Sequence, residues 1–403
     1  MSNTLVTCSI VAKESLAILT NMLDFSKNVN RDWTDEFTGN MTRGYAPGQT
    51  INIKKPPRYT YRAGRVAVPQ ATAESTVPLT LTQGGCDLNF TSIERTLSLT
   101  KLERKLEAAL ATVANEIDRQ GLDLARTATF NCLNGAGTLP TTQALALAAF
   151  TDCNRRLDEM GAPRDKRRYM TMGPGMNGAA IQGLAGLFNA GDKVSKQYGS
   201  GLMVDALGLS FGMSQNVSTQ PASAATASNI NGAGQTGSSI TVAATGGGTL
   251  YKGASITLPG VYAVNPQTRV STGVLANFVL TADVASGATT LPISPAIVTS
   301  GPFQNVTASP TTGQPFVIVG TVNTAFQANV AYHRDAFTLA TVPMWSPPGG
   351  KGVIDVAQET YEGFTIKVTE FYDGTNDNSI MRLDVLFGWA ATYPELAVKY
   401  YSV

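Results

Sequence analysis

The clearest periodic pattern in the chain is helical and covers residues 98–130. Apolar side chains recur there every three or four positions, the spacing that places them on one buried face of a helix. They are Leu102, Leu106, Leu110, Val113, Ile117 and Leu124. Ser98 and Thr100 precede this stripe as candidate caps. The pattern predicts one long amphipathic helix that tolerates Gly121 near its end.

A second helical pattern covers residues 141–161. It ends at Gly161, and Pro163 follows shortly afterwards, which is a common way for a helix to stop. Its predicted buried face consists of Leu145, Ala149, Phe150, Cys153, Leu157 and Met160. We therefore expect two neighbouring helices in this part of the chain.

Alternating apolar and polar positions, which are typical of strands, occur before and after these helices. Residues 49–82 contain two such segments around a middle rich in proline and basic residues, which predicts a long, projecting, hairpin-like arm. Residues 330–342 and 364–403 alternate again, and "YDGTNDN" at 372–378 supplies a hairpin turn. The chain therefore returns to β-structure in its last part.

Residues 206–333 differ from the rest in charge as well as in hydropathy. The charged residues of this stretch are Lys252, Arg269 and Asp283. Short segments rich in Val, Ile, Thr and Phe are separated there by Gly, Pro and Asn, which predicts a small antiparallel β-domain inside residues 222–326. The Ser, Thr, Gly and Ala residues of 218–239 fit either a linker or an ordered part of that domain.

Composition limits the possible functions only broadly. A chain of 403 residues has room for two or three units with buried cores. Its formal net charge of +1 gives no general attraction to nucleic acid or to acidic membranes. The amino-terminal segment carries charges inside its apolar part, so we do not expect a signal peptide, and its apolar runs are too short to cross a bilayer.

Cysteine and histidine give no sign of a metal site. The four cysteines are scattered without a Cys-x-x-Cys pair, and His333 is the only histidine. This set matches no usual zinc spacing. We therefore expect no structural metal and a reduced chain of the kind found in the cytosol.

His333 is followed at once by Arg334 and Asp335, as in the catalytic loop of a protein kinase. The strand lysine, the spaced asparagine and the Asp-Phe-Gly segment that accompany such a loop are missing from the sequence. A serine nucleophile would also lack its Gly-x-Ser-x-Gly turn. We therefore interpret His333 as a solvated or hydrogen-bonded strand residue, in a strand whose two faces alternate over residues 335–342.

Gly173, Gly175 and Gly178 match the Gly-x-Gly-x-x-Gly pattern of dinucleotide-binding proteins. They lie between a predicted strand and a predicted helix, so a nucleotide-dependent enzyme built on residues 167–188 is one alternative. No apolar run that would lead to a ribose-binding acid follows, and Pro174 removes one amide from the expected phosphate cradle. We expect no bound cofactor.

The predicted arm is strongly basic. Its cations are Arg43, Lys54, Lys55, Arg58, Arg62 and Arg65. Tyr59 and Tyr61 lie among them, and no acidic residue occurs between Glu36 and Glu74. Such a surface fits single-stranded nucleic acid, but Arg and Tyr are also favoured where two proteins meet. The long helix offers acidic residues as counter-charges, which are Glu94, Glu103, Glu107, Glu116, Asp118 and Asp123, and the main candidates among them are Glu103, Glu107 and Glu116.

Two stretches resemble a known family. Residues 252–284, "KGASITLPGVYAVNPQTRVSTGVLANFVLTADV", are similar to the core hairpins of an inserted domain, and Tyr393-Pro394-Glu395 follows an apolar strand near the carboxyl end. With the order of the predicted elements, they make the chain resemble the major capsid (coat) proteins of tailed double-stranded DNA bacteriophages. The branch that it resembles carries an inserted β-domain, as in short-tailed Salmonella phages.

The resemblance implies an α+β protein with the Hong Kong phage-type major capsid protein fold, which has an N-arm, an extended loop, a spine helix, and peripheral and axial domains, and here an inserted antiparallel β-domain. The regions expected from it are an N-terminal arm at 1–45, the extended loop at 46–78, a peripheral domain with the spine helix at 79–135, the first part of the axial domain at 136–221, the inserted domain at 222–326 and return strands of the axial and peripheral domains at 327–403.

The resemblance also implies a structural function without catalysis. Such subunits assemble as hexamers and pentamers into an icosahedral shell around double-stranded DNA, which they contact non-specifically, together with scaffolding and portal proteins and in some cases a decoration protein. The expected location is the virion capsid, after assembly in the cytoplasm of the host bacterium, with no membrane partner. A phage tail, fibre or other β-rich adhesion protein is the alternative. The inter-subunit contact expected for the extended loop consists of Lys54, Lys55, Arg58, Arg62 and Arg65. Among them, we expect Arg58, Arg62 and Arg65 to hold the arm on the adjacent subunit.

Overall fold

The structure is a computed structural model of the chain. It describes residues 23–33, 49–67, 69–72, 74–91, 102–184, 205–224, 228–346, 353–361 and 364–403. The chain divides into two compact units. The first unit takes its residues from 1–53, 77–121 and 338–390, and the second from 54–76, 122–337 and 391–403.

Helices and several separate sheets make up the described part of the chain. The helices are α1 (Leu102–Ala128), α2 (Gln143–Glu159) and α3 (Pro174–Leu184). The strands are β1 (Thr50–Lys55), β2 (Ser75–Thr80), β3 (Thr82–Thr91), β4 (Cys132–Leu133), β5 (Arg168–Met172), β6 (Ser210–Met213), β7 (Thr219–Gln220), β8 (Gly237–Thr241), β9 (Ser255–Val264), β10 (Ser271–Leu280), β11 (Thr290–Ile297), β12 (Val317–Ile318), β13 (Phe326–His333), β14 (Thr338–Thr341), β15 (Val353–Tyr361), β16 (Phe364–Asp373), β17 (Asn378–Ala390) and β18 (Ala397–Ser402). This content confirms the predicted α+β class.

The first unit contains a sheet with the strand order β14-β17-β16-β15, and β3 also pairs with β17. Strands β16 and β17 form the predicted hairpin, in which Asp373 pairs with Asn378. Asp377 has a φ of 51° in the turn, a conformation that Asp and Asn tolerate better than most residues. The buried cluster beside this sheet comprises Ile51, Ile53, Leu79, Leu81, Ala340, Val342 and Ala390.

Gly121 in α1 has a packing role. A Cβ atom at this position would lie 2.5 Å from a ring carbon of Trp389, closer than carbon atoms can approach. The Trp389 ring in turn stacks on Phe25 with 5.5 Å between ring centroids. The glycine that the helical pattern merely tolerates therefore makes room for an indole ring.

Asp118 of α1 holds a short 3₁₀ turn, Ser26–Asn28, near the amino end of the described chain. Its buried carboxylate accepts backbone N–H groups from Asp24 (2.9 Å), Phe25 (3.2 Å) and Ser26 (3.0 Å), and also the Ser26 hydroxyl. Hydrogen bonds from several amides offset the cost of burying such a charge. Burial and the neighbouring Asp118 charge raise the pKa of Asp24 to about 6.

The insert sheet, defined as strands β8 to β12, has the order β12-β9-β10-β11-β8 and lies in the second unit. All its pairings are antiparallel. Its fully buried side chains include Ile240, Ile256, Leu258, Phe278, Leu280, Leu291 and Phe316. The predicted inserted antiparallel β-structure is thus confirmed, although β12 has only two residues.

A second sheet of this unit has the order β4-β18-β13-β5-β6, with β7 also paired to β13. Helices α2 and α3 cover it through a buried cluster that includes Phe150, Cys153, Leu157, Met170, Met172, Met176 and Ala180. Thr142 caps α2, because its hydroxyl accepts the Leu145 N–H group, and Gly161 follows the helix with a φ of 81°. The predicted second helix is therefore observed with its predicted stop.

The prediction that Leu145 of α2 lies in the core was wrong. Leu145 is 43% exposed, whereas the adjacent Ala146 is fully buried. A Cβ atom on Gly183 of α3 would lie 2.8 Å from the Ala146 Cβ. The two helices approach so closely that only small side chains fit at their crossing, so the small Ala146, and not Leu145, faces the core.

The predicted alternation over residues 335–342 was also wrong. Strand β13 ends at His333, a 3₁₀ turn follows at Arg334–Ala336, and every residue of β14 is buried. The chain passes from the second unit to the first at Thr338. A turn separates the two strands there, so no single strand with alternating faces exists.

Lys399 in β18 is fully buried. Its ammonium Nζ donates hydrogen bonds to the carbonyl oxygens of Arg126 (3.1 Å) and Gly253 (2.8 Å). Arg126 lies in the last turn of α1, where the carbonyl groups favour a positive charge. Burial lowers the pKa of Lys399 to about 8. One side chain thus ties the end of the spine helix to the entrance of the insert sheet.

Candidate inter-subunit surface

The extended loop, residues 46–78, includes the strand pair of β1 and β2, and most of the residues described between these strands are exposed. Strands β1 and β2 pair with each other, as the two alternating segments predicted. Pro56 and Pro57 follow β1 directly, and since proline has no N–H group to donate, the strand stops there. At the loop tip, defined as residues 61–66, Tyr61 is 94% exposed and Val66 is 79% exposed.

Hydrogen bonds within the loop shape its tip. The Arg62 guanidinium donates to the carbonyl oxygens of Gly64 and Val66, and Gly64 has a φ of 95° that favours glycine. Below the tip, the Gln70 side chain accepts the Thr60 N–H group (2.8 Å) and donates to the Thr60 carbonyl oxygen (2.7 Å). The loop tip therefore has a defined conformation, and it exposes apolar and basic groups together.

The five basic residues predicted to contact a neighbour occupy different settings. Lys54 pairs with Glu74 across the strand pair at 3.0 Å, with both side chains exposed. Arg62 and Arg65 lie at the exposed loop tip. Lys55 and Arg58 are half-buried at the base of the loop. The structure therefore does not bring the five residues together as one surface.

Tyr393 and Glu395 hold the base of the loop. The Arg58 guanidinium donates to the Glu395 carboxylate at 3.1 Å, and the Lys55 ammonium lies 5.3 Å from the centre of the Tyr393 ring. Arg58 also lies 5.8 Å from the centre of the Phe303 ring in the second unit. Cation–π contacts of this kind stabilise partly desolvated cations. The Tyr-Pro-Glu stretch noted in the sequence thus packs against the loop.

Burial lowers the pKa of Lys55, the nearby Arg58 lowers it further, and Glu395 opposes both. Within the described part of the chain, the Lys55 ammonium makes no hydrogen bond. A half-buried ammonium that has no hydrogen-bond acceptor has lost part of its hydration without gaining a hydrogen bond in return, which costs free energy. Lys55 is therefore the basic residue of the loop whose setting most clearly leaves room for an external carboxylate.

Arg269 was missed as a functional residue. Its guanidinium donates to the Tyr59 carbonyl oxygen at 2.6 Å, so a turn of the insert sheet holds the extended loop. Arg269 has a φ of 56°, an uncommon conformation for a residue with a side chain. The sequence feature that could have revealed Arg269 is its position among uncharged residues, because it is one of only three charged residues in 206–333.

A cavity of about 280 Å³ lies where the loop base meets the insert sheet, and we call it the loop cavity. Its apolar walls include Phe130, Met160, Phe278, Phe303 and Tyr393. Its charged lining residues are Lys55, Arg58, Arg156 and Glu395. The cavity therefore combines aromatic walls with more positive than negative charge.

The predicted counter-charges on the spine helix are only partly described. The Glu116 carboxylate pairs with Arg119 of the same helix at 2.6 Å and accepts a hydrogen bond from Gln120. The hydrogen bond from Arg119 lowers the pKa of Glu116. The side chains of Glu103 and Glu107 lie outside the described residues. Glu116 thus has partners within its own helix, which a neighbouring arm would have to share.

His333 is a buried residue whose ring nitrogens both have hydrogen-bond partners. Its ring is buried, Nδ1 accepts the Asp335 N–H group (3.3 Å), and Nε2 lies 3.1 Å from the Asp165 carboxylate. This arrangement assigns the ring proton to Nε2, which donates to Asp165. Burial alone would raise the pKa of Asp165, but the hydrogen bonds from His333 and from the Arg167 amide lower it. The ring is thus a hydrogen-bonded residue at a strand end, as expected.

Gly173 lies between β5 and α3, whereas Gly175 and Gly178 lie inside α3. A parallel strand does follow the pattern, because β6 pairs with β5 in parallel, so the expectation that no such strand follows was wrong. It is followed by Ser214 where a ribose-binding acid would be expected. The Gly173 N–H group donates to the Asn329 side chain at 2.8 Å, so this amide of the possible cradle is already used.

The described residues contain no group of three or more His, Cys, Asp or Glu side chains arranged to hold a metal ion. None of the helices in the described part is long and apolar enough to cross a membrane.

The chain is similar in part to one phage protein and over most of its length to solved structures. A 100-residue segment is 27% identical to the major capsid protein of Acyrthosiphon pisum secondary endosymbiont phage 1, and the match covers 25% of this chain and 23% of that relative. The structure of Mycobacterium phage Che8 matches with a TM-score of 0.48 and 12% identity over 93% of this chain and 89% of that one. The capsid structure of cyanophage P-SCSP1u matches with a TM-score of 0.44 and 10% identity over 88% and 84%.

The match to a family model is more extensive. The model of the P22 coat protein, gene protein 5, matches residues 88–399. This range runs through the spine helix, both sheets of the second unit and the last strands. It also contains the histidine and glycine patterns that resembled catalytic motifs, which are therefore parts of a structural protein and not of an enzyme. The chain belongs to the P22 coat protein family.

Proposed function

We propose that this chain is the major capsid protein of a tailed bacteriophage and that it builds the shell that encloses the genome. The observation that carries the proposal is the family match over residues 88–399, which covers most of the chain. The exposed loop tip supports it, because a projection with Tyr61 and Val66 in solvent is typical of a subunit that meets neighbours.

The subunits assemble as hexamers and pentamers into an icosahedral shell of the Hong Kong phage type. In this plan, residues 1–45 form the N-terminal arm, 79–135 the peripheral domain, and 136–221 and 327–403 the axial domain and its return strands. The insert at 222–326 adds a domain to each subunit. A scaffolding protein, a portal protein and in some cases a decoration protein complete the assembly in the bacterial cytoplasm.

The extended loop makes the contact with the adjacent subunit. Because Arg58 is already held by Glu395, the contact depends mainly on Arg62 and Arg65 at the loop tip, with Tyr61 and Val66 as its apolar part. Arg and Tyr side chains are the usual anchors of protein interfaces. Contact with the packaged DNA is non-specific, in line with a net charge of +1 that gives no strong attraction to phosphate.

Negative-stain electron microscopy of the chain expressed in a bacterium tests the proposal. The chain should be expressed alone and with the neighbouring reading frames of its genome. We expect closed shells in the second sample and shells, spirals or tubes in the first. Compact monomers or trimers in both samples would contradict the proposal and favour a tail or fibre protein.

A further inference from the structure

The loop cavity has a positive charge that its own residues leave unbalanced. Arg58 pairs with Glu395 at 3.1 Å, and Arg156 pairs with Glu159 at 3.2 Å. The Lys55 ammonium lies against the Tyr393 ring and has only the more distant charge of Glu395, which already pairs with Arg58. The cavity therefore carries one more positive charge than its carboxylates pair directly.

The walls of the loop cavity fit an aromatic occupant. Its lining includes the aromatic rings of Phe130, Phe278, Phe303 and Tyr393. The volume of about 280 Å³ is just below the range for small-molecule sites, about 300–1,000 Å³, which suits one large side chain better than a cofactor. The matching occupant is an aromatic ring that carries a carboxylate at its far end.

The hairpin tip between β16 and β17 presents such a group. Tyr372 is 46% exposed, and its hydroxyl donates to the Asp377 carboxylate at 2.7 Å. The stretch 372–378 contains two acidic residues and no basic one. The turn is internally braced, because the Asp373 carboxylate accepts the Thr375 N–H group at 3.0 Å and the Asn376 side chain at 2.7 Å. A braced tip loses little conformational freedom when it binds.

We infer that the Tyr372–Asp377 tip of one subunit inserts into the loop cavity of a second copy of this chain. The Tyr372 ring packs between the aromatic walls, and the Asp377 carboxylate at its far end approaches Lys55. Desolvated pairs of this kind at the centre of a contact contribute strongly to specificity. This inference rests on the proposed function, since it requires subunits to meet in a shell.

Photochemical cross-linking in assembled shells tests the contact directly. The photoreactive residue p-benzoylphenylalanine replaces Tyr372, and shells are assembled from a mixture of ¹⁴N- and ¹⁵N-labelled chains. We expect cross-links between chains of different label, at peptides that contain residues 55–58, 295–303 or 393–395. Cross-links within one chain, cross-links to other surfaces, or none in intact shells would overturn the inference. The same label at Tyr262, an exposed tyrosine of the insert sheet, should not reach these peptides.

A double-mutant cycle provides a second readout. Lys55→Met and Tyr372→Ala should each slow shell formation about tenfold while the unfolding midpoint of the soluble subunit stays unchanged. The double variant should be no slower than the slower single variant, because both changes remove the same contact. A hundredfold slowing would show independent effects and contradict the inference. Lys252→Met removes an exposed lysine of the same unit and should assemble normally.

Failure of the inference differs from failure of the proposed function. If the wild-type chain forms no shell with its neighbouring gene products, the proposed function is wrong, and the inference is overturned with it because it requires a shell. If shells form and the label at Tyr372 reaches other surfaces, the capsid function stands and this contact is wrong.

Discussion

The insert sheet and the base of the extended loop lie in the same unit, yet they are held in opposite ways. The insert sheet buries its own cluster of apolar side chains, in which Phe278, Leu258 and Phe316 are fully buried. The extended loop is held by an ion pair, two cation–π contacts and a hydrogen bond from Arg269 to Tyr59. One region is stable through its own core, and the other depends on polar contacts at its base.

This difference indicates a division of tasks. Burial of apolar surface stabilises a domain without any partner, whereas exposed ion pairs contribute little to folding. A substitution in the insert sheet should therefore change the stability of the subunit. A substitution at the loop tip should leave that stability unchanged and should change assembly instead.

The largest effect is expected in the core of the insert sheet. Phe278→Ala removes a fully buried ring and should lower the free energy of unfolding by about 3–5 kcal/mol. Urea unfolding of the soluble subunit measures this change. Tyr262→Ala in the neighbouring strand β9 removes a ring that is 41% exposed and should cost far less. Equal losses in the two variants would show that the insert sheet has no core of its own.

Lys399 should make stability depend on pH at the entrance to the insert sheet. Burial lowers the pKa of Lys399 to about 8 from its ordinary value of 10.5. Between these two values the unfolded chain binds more protons than the folded chain, so stability should rise with pH across this window. The cost of the buried charge is therefore present below pH 8 and is relieved above it.

Lys399→Met removes this dependence and leaves a side chain of similar length. Between pH 7.5 and 9.5 the wild type should gain on the order of 2 kcal/mol relative to the variant, as measured by urea unfolding at each pH. Because the other titrating groups are common to both proteins, their effects largely cancel in the difference. A constant difference across this range would contradict the assignment of a charged, buried Lys399 at neutral pH.

A smaller effect is expected at Asp24, which lies beside the Asp118 carboxylate of the spine helix. Burial and the Asp118 charge raise the pKa of Asp24 to about 6, so the folded chain binds more protons than the unfolded chain between its ordinary value of 3.8 and about 6. Stability should therefore fall as pH rises through that window. Asp24→Asn removes the repulsion and should stabilise the subunit at pH 7 by about 1 kcal/mol, since solvent screens part of the interaction.

Thermal unfolding of Asp24→Asn at pH 7 and at pH 4 measures this effect. The variant should be more stable than the wild type at pH 7, and the advantage should shrink at pH 4, where the wild-type carboxyl is protonated. Asp32→Asn removes an exposed negative charge from the same segment and serves as the matched control. An advantage that is the same at both pH values would contradict the proposed repulsion.

Elements with a strong local pattern could be predicted from the sequence. The spine helix and α2 follow from apolar side chains at helical spacing, and the hairpin of β16 and β17 follows from alternation on both sides of a turn. The strands β8 to β11 of the insert sheet follow from short segments rich in β-branched residues. In each case, neighbouring residues in the sequence determine the structure.

Features that depend on distant residues could not be predicted. Strands β4 and β7 have two residues each and exist only because longer strands pair with them. The choice of Ala146 over Leu145 for the core depends on Gly183 in another helix. The hydrogen bond from Arg269 to Tyr59 joins residues 210 positions apart, so neither local sequence reveals it.

The paired charge reversal Arg62→Glu with Arg65→Glu at the loop tip tests the central claim most directly. Its unfolding free energy should lie within about 0.5 kcal/mol of the wild type, because both side chains are exposed and lie outside any core. Electron microscopy and sedimentation of this variant, expressed beside the wild type, should show soluble subunits and few or no shells. Normal shells from the variant would contradict the account, since the loop tip would then not be the contact between neighbouring subunits.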